Sequence, residues 1–234
     1  MDLKELDLVD PSTHWYYQAK LSGIRNMVQR YLVDGMRIID VGAGSGFFSI
    51  ALANGLSSPS IVCLDPHYSD ERTEQGGALR FVRSLDEPIG DLYLFIDVLE
   101  HVDDDLSLLR QYVDYAPTGS VVVVSVPAFQ SLWSAHDVFL EHRRRYRMQA
   151  VKRLAEESGI EVTDARYLFG SIFPAAWLIR RIRRSKEPRS DMKTASSVVN
   201  KLLTRLLIAE HRILENRLFG LSVVVVGVVR EHDN

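Results

Sequence analysis

Residues 38–53 read IIDVGAGSGFFSIALA: an apolar run closing on an acid, three glycines at alternate positions, then apolar residues at helical spacing. A buried strand feeding a helix through a glycine-rich turn is the opening unit of an open α/β sheet, whose ligands bind beyond the carboxyl ends of the strands. Gly42, Gly44 and Gly46 accept positive φ and lack the Cβ atoms that hold a ligand off the backbone. Their spacing selects among ligands. A dinucleotide fingerprint, G-x-G-x-x-G, would place its third glycine at position 47, which is phenylalanine here; the pattern is instead D-x-G-x-G-x-G. Asp40 would repel a pyrophosphate but accept a hydrogen bond from a cationic amino group. Asp65 ends the next apolar run, 19 residues beyond Gly46, where an acid accepts ribose hydroxyls.

Outward from this turn, strand patterns fall at 37–41, 60–65, 79–82, 91–96, 120–127, 161–168 and 221–230, with helical patterns at 20–33, 46–55, 103–116 and 148–158. Several strands are continuously apolar, as expected where helices cover both faces of a parallel sheet. The fold class is therefore α/β, a Rossmann-like, mostly parallel sheet. Residues 169–219 break the alternation with two helical stretches joined by the polar linker SKEPRSDMKTAS, which predicts a helical insertion before the last strand. The expected organisation is a lid region at 1–34, a core at 35–168 and 220–234, and the insertion at 169–219.

The chain has 234 residues, 46% of them hydrophobic, enough for one sizeable core. Its one cysteine, Cys63, rules out a disulfide framework or a thiolate zinc site. With no signal-peptide pattern in MDLKELDLVD and no run long enough to span a bilayer, the expected location is cytoplasmic. The net charge of −3 is unevenly spread: 9 Lys/Arg stand against 20 Asp/Glu in residues 1–140, and 13 against 6 in residues 141–189. The acidic first half argues against a nucleic-acid partner, while the basic stretch allows a local anionic one.

A ligand with a ribose and an amino-acid tail is S-adenosylmethionine, and on these residues the chain resembles the class I S-adenosylmethionine-dependent methyltransferases over about residues 14–168 and the last strand. The resemblance implies seven strands with the last antiparallel, in agreement with the strand count. It implies cofactor contacts from Asp40, Gly42, Ala43, Gly44 and Gly46, from Asp65 and Pro66, from Ser84 and Leu85 after the third strand, and from Asp97 and Val98 after the fourth. S-adenosylhomocysteine is the implied product. A lid helix opening at HWYYQAK would bring Tyr17 over the cofactor and Lys20 to its carboxylate.

FIDVLEHVDDD, residues 95–105, places Asp97, Glu100 and His101 at i, i+3 and i+4, on one face if helical. The DVLEH wording is similar to that of small-molecule and quinone-pathway O-methyltransferases, in some of which an acid-x-x-Glu-His arrangement accompanies a divalent metal. His101 is thus a candidate general base, a candidate metal ligand with Asp97 and Glu100, or a loop histidine beside helix-capping acids. The connection VPAFQSLWSAHDVFLEHRRRYRMQ, residues 126–149, carries Phe129, Trp133, His136, Asp137, Phe139, His142, Arg143, Arg144, Arg145 and Tyr146. It resembles a bacterial subgroup that accompanies glycoconjugate and lipid-carrier enzymes. One reading is an aromatic pocket with His136 as a second candidate base and arginines for an anionic acceptor; the other pairs the arginines with the acidic half and packs the aromatics. FGSIFPAAWLIRRIRR, residues 169–184, runs from apolar to basic and suits peripheral membrane contact through 169–189, a lid, or a homodimer contact. The expected activity is methyl transfer to an oxygen, or secondarily a nitrogen, of a small-molecule or lipid-linked acceptor, the alternatives being RNA or protein methylation or a non-catalytic cofactor-binding module.

Overall fold

The computed structural model describes residues 9–182 and 196–231. Its sheet holds eight strands: β1 Arg37–Val41, β2 Ser60–Leu64, β3 Arg72–Glu74, β4 Leu79–Val82, β5 Leu92–Ile96, β6 Val121–Pro127, β7 Ile160–Leu168 and β8 Ser222–Val229, in the order β3-β4-β2-β1-β5-β6-β8-β7. β1 pairs parallel with β2 and β5, β2 with β4, and β5 with β6. β8 lies antiparallel between β6 and β7. The seven expected strands are present. The eighth, β3, is an antiparallel edge strand of three exposed residues, too short and too polar to leave an alternating signal.

The unbroken apolar runs have a simple cause. In β5, Leu92, Leu94 and Ile96 enter one core cluster while Tyr93 and Phe95 enter the other, and in β6 Val121 and Val123 oppose Val122 and Val124. Strand side chains alternate between faces, so a strand covered on both sides needs no polar phase. One face is covered by α1 Trp15–Val28 and α2 Phe47–Ala53, the other by α3 Asp105–Val113 and α5 Met148–Glu157. Asp104 caps α3 by accepting the Ser107 N–H at 2.9 Å.

Between β6 and α5 stands the short helix α4 Ala135–Phe139; after β7 come α6 Phe173–Ile182 and α7 Ser197–Ile213. α7 packs along α1. The Asn200 side chain accepts the Trp15 N–H at 2.9 Å and donates to the Thr13 carbonyl at 2.7 Å. Deeper in, His211 lies between the Ala19 carbonyl, 2.9 Å from Nδ1, and the Phe169 N–H, which donates to Nε2 at 3.1 Å. That pattern requires the neutral ring protonated at Nδ1, and burial pushes its pKa down. α6 has no buried residue and exposes Leu178, Ile179 and Ile182. Most of the polar linker, with Arg183, Arg184 and Lys186, falls at 183–195, outside the described residues.

Candidate active site

All three glycines of the turn are left-handed, with φ of 65° at Gly42, 52° at Gly44 and 71° at Gly46. The need is steric as well. A Cβ on Gly42 would meet Val98 Cγ2 at 2.5 Å, and one on Gly46 would meet Cys63 Sγ at 2.7 Å. The N–H groups of Gly42 and Ala43 donate to the Leu64 carbonyl at 2.7 and 3.1 Å, which ties the turn to the end of β2.

Asp65 stands where β2 ends. Its carboxylate accepts the Gly44 N–H at 3.1 Å and the His67 N–H at 3.0 Å, and the Tyr68 hydroxyl donates to the Gly44 carbonyl at 2.6 Å. The second acid therefore braces the glycine turn directly. Asp40 is buried, accepts the Ser49 hydroxyl at 2.7 Å, and is pushed up to about 6 by desolvation. Tyr17 is buried, its ring centroid 6.3 Å from Phe47 and 6.4 Å from Phe48 at the start of α2. Pro66 and Ser84 are exposed, and Leu85 and Val98 half-buried, at the ends of β2, β4 and β5.

Asp97, one residue past β5, has φ of 54°. An aspartate tolerates this left-handed conformation better than most residues. Its two carboxylate oxygens lie 2.6 and 2.5 Å from Lys20 Nζ. Lys20 is fully buried; burial alone would lower its pKa, but Asp97 outweighs that and holds the ammonium charged. Two residues expected to contact the cofactor thus clamp one another, joining α1 to the end of β5.

The turn Leu99–His101 follows at once. Glu100 is fully buried, and among the described residues neither of its oxygens has a hydrogen-bond partner. His142 Nε2 lies 4.0 Å from Glu100 Oε1, and the His101 ring stands edge-on to His142 at 4.8 Å between centroids. His142 Nδ1 is 2.9 Å from Asp137 Oδ1, and Asp137 is clasped by Arg145 at 2.6 and 3.0 Å. Burial would raise the Asp137 pKa, but the His142 hydrogen bond and the Arg145 charge hold it well below the usual carboxylate range. Among the described residues, Glu100, His101 and His142 can offer ligand atoms to a metal, all within 4.8 Å of one another. Asp97 is not in that group, because it faces Lys20.

Sequence reasoning named His101 and His136 as candidate bases and counted His142 among the imidazoles of the connection available for proton transfer, but did not pair it with Asp137. Nothing in the spacing pointed to that pair, since residues five apart in a loop match neither helical nor strand periodicity. His136 is buried in α4, whose capping box is made by Ser134 and Asp137. The arginine run is not held open for an anion. Arg143 pairs with Asp103, Arg144 with Asp105 at 3.3 Å, and Arg145 with Asp137. Two aromatics of the connection are also engaged: Phe129 stacks on Tyr167 at 5.0 Å, and the Tyr146 hydroxyl donates to the Leu99 carbonyl at 3.0 Å.

This is the fold of a class I methyltransferase, with the glycine turn and two acids at the carboxyl ends of adjacent strands. A family model for the methyltransferase domain matches residues 14–165, and the chain belongs to that family of S-adenosylmethionine-dependent enzymes. Among solved structures, the chain is similar to one from the complex of the Haloferax volcanii Trm112 methyltransferase activator with a candidate methyltransferase, at 18% identity and TM-score 0.58, covering 95% of this chain and 92% of that one. A candidate sarcosine dimethylglycine methyltransferase from Galdieria sulphuraria aligns at 14% identity and TM-score 0.55, covering 91% and 85%. The Burkholderia thailandensis 1,6-didemethyltoxoflavin-N1-methyltransferase, with S-adenosylhomocysteine bound, aligns at 12% and 0.53, covering 92% and 78%. No curated protein matches. At these identities the likeness establishes the fold and leaves the acceptor to be argued from the site.

Proposed function

We propose that the chain transfers the methyl group of S-adenosylmethionine to an oxygen of a small-molecule or lipid-linked acceptor, activated at the His101 end of the carboxylate–imidazole cluster. The observation that carries this reading is the adjacency of the two halves: Asp97 and Val98, assigned to the cofactor, and Glu100 and His101, assigned to the acceptor, occupy one turn after β5. The sulfonium is already activated, so the enzyme has to align the acceptor with the methyl group and strip one proton from it. Imidazoles and a buried carboxylate suit a hydroxyl. His136 is the second candidate for that proton.

In this reading Asp40, Ala43 and the three glycines receive the amino-acid tail, with Lys20 at its carboxylate once Asp97 yields. Asp65 and Pro66 take the ribose, Ser84 and Leu85 the adenine, and Tyr17 covers the bound ligand. Neutralisation of the arginine run by Asp103, Asp105 and Asp137 supports a small acceptor over nucleic acid. The exposed apolar residues of α6 beside Arg180 and Arg181 support a lipid-linked one. Among the described residues no helix is long and apolar enough to cross a membrane, so contact with lipid would be peripheral.

The test offers methyl-labelled S-adenosylmethionine with hydroxylated aromatics, polyprenyl-linked sugars, bulk RNA and protein, using wild type, Asp65→Ala and His101→Ala. Label in an ether or ester of the first two groups is expected. Asp65→Ala should weaken cofactor binding about 10- to 100-fold through lost hydrogen bonds to a charged group. His101→Ala should lower kcat with cofactor binding unchanged. Label confined to RNA or protein would overturn the acceptor assignment.

A further inference from the structure

Helix α7 carries two apolar stripes where packing on the core needs one. Leu203 and Leu207 turn inward, with Glu210 and His211, and hold the helix on the core. A second set, Val198, Leu202, Leu206, Ala209 and Ile213, recurs at steps of 4, 4, 3 and 4 residues and so lines one side of the helix. Its centre lies about a third of a turn from that of the inward set. All five residues are exposed, Val198 and Ile213 at 77% and Leu202 at 66%. Single exposed apolar side chains are ordinary, but a row running from 198 to 213, about 22 Å long, is not. Exposed Leu214, Leu218 and Phe219 follow α7 in the chain, and the Phe219 ring meets Phe173 at the start of α6 at 5.3 Å.

The border of the stripe decides what covers it. Lys201, Arg205 and Arg212 lie along one edge and are exposed. Whereas Arg143, Arg144 and Arg145 each meet an aspartate, none of these three pairs with an acid among the described residues. The other edge offers no counter-charge. Glu210, the one acid of α7, is buried and accepts the Gly170 and Ser171 N–H groups at 2.6 and 3.0 Å. A second copy of the chain fits poorly against such a face. Antiparallel helices about a two-fold axis bring the basic edges together, and parallel ones set the basic edge against an edge with no exposed acid. A bilayer containing anionic phospholipid satisfies both features, taking the stripe at the acyl boundary and the basic edge at the phosphates.

We propose that α7 is a membrane-docking face, lying in the plane of an anionic phospholipid surface with Leu202 and Leu206 at its centre and Lys201, Arg205 and Arg212 at the headgroups. The sequence suggested such contact only for 169–189, because the inward and outward leucines of α7 are indistinguishable until the fold covers one set. The helix is fixed on α1, where the Asn26 amide donates to the His211 carbonyl at 2.8 Å, so the docked face adjoins the helix that carries Tyr17 and Lys20. This inference deepens the lipid-linked arm of the proposed acceptor and rests on that reading for its purpose alone. Attachment itself needs neither cofactor nor acceptor.

The experiment floats the full-length protein through a density gradient with vesicles of phosphatidylcholine, alone or mixed with phosphatidylglycerol, at low and high salt. Sedimentation without vesicles reads the oligomeric state. Binding about 10-fold or more tighter to the anionic vesicles is expected, and weaker at high salt. Leu202→Ser combined with Leu206→Ser should cut vesicle binding about 10-fold or more. Lys201→Gln, Arg205→Gln and Arg212→Gln should each weaken binding to anionic vesicles about fivefold. Val33→Ser, at a position 57% exposed outside the stripe, should bind as wild type does. Circular dichroism and calorimetric S-adenosylmethionine binding establish which variants are folded. Absence of flotation by wild type would overturn the proposal, and a dimer dispersed by the paired serine substitutions would then assign the stripe to a second copy. Undiminished flotation of the folded serine variant would overturn it equally. Methylation of a soluble acceptor would correct the acceptor reading and leave this surface standing, so the two fail separately.

Discussion

The two ends of the site are made of different material. The proposed cofactor end is backbone: three left-handed glycines between residues 42 and 46, with no room for a Cβ at Gly42 against Val98 or at Gly46 against Cys63. The proposed acceptor end is side chain: Glu100, His101, Asp137 and His142, gathered from two connections. A backbone site is specified by residues that are contiguous and small, so it is written locally. A side-chain site is specified by where two loops meet, and its members have no fixed spacing.

The contrast can be broken hardest at Gly42. Gly42→Ala adds the Val98 clash to the strain of a positive φ and should cost about 4 kcal/mol, read as a lowered urea midpoint together with lost cofactor binding. Adding Val98→Ala should recover the clash and leave about 1–2 kcal/mol of strain. An unchanged midpoint in the single variant would show that the turn relaxes and is not sterically specified.

The junction between the two ends is the next target. Lys20→Met leaves the Asp97 carboxylate facing a buried apolar surface and should destabilise by about 3 kcal/mol, tempered because the Asp97 side chain keeps 24% of its exposure. Lys20→Met with Asp97→Asn should regain most of that loss. If the double variant is no better than the single, the pair is not what couples α1 to β5.

The smallest effect is a pH dependence at the cofactor end. Asp40 holds its proton more tightly folded, at about 6, than unfolded, near 3.8. Its contribution to stability is therefore fully present below about pH 4 and lost as pH rises through about 6, about 3 kcal/mol in all, of which about 2 kcal/mol falls between about pH 4.5 and 7.5. Asp40→Asn, which keeps an acceptor for Ser49, should be closer to wild type at pH 4.5 than at pH 7.5, where it becomes the more stable of the two. A difference independent of pH would place the Asp40 ionisation elsewhere.

The sheet and the glycine turn were legible in the sequence alone. Period-two alternation was hidden in β5 and β6, but unbroken apolar runs of strand length, separated by helical patterns, still specified a sheet covered on both faces. Glycine spacing and two acids chose the ligand because φ, Cβ volume and charge are properties of single residues. The edge strand β3 was invisible, since exposed residues carry no burial pattern. Other features were decided only in three dimensions. Lys20 and Asp97, 77 residues apart, were each legible as polar groups near a cofactor, but their mutual clamp depends on where α1 crosses β5. The arginine run could be read as an anion site until the fold brought Asp103, Asp105 and Asp137 against it. The Glu100–His142 confrontation lies furthest from the sequence, because it depends on the angle between two loops, which long-range packing sets and no local pattern encodes.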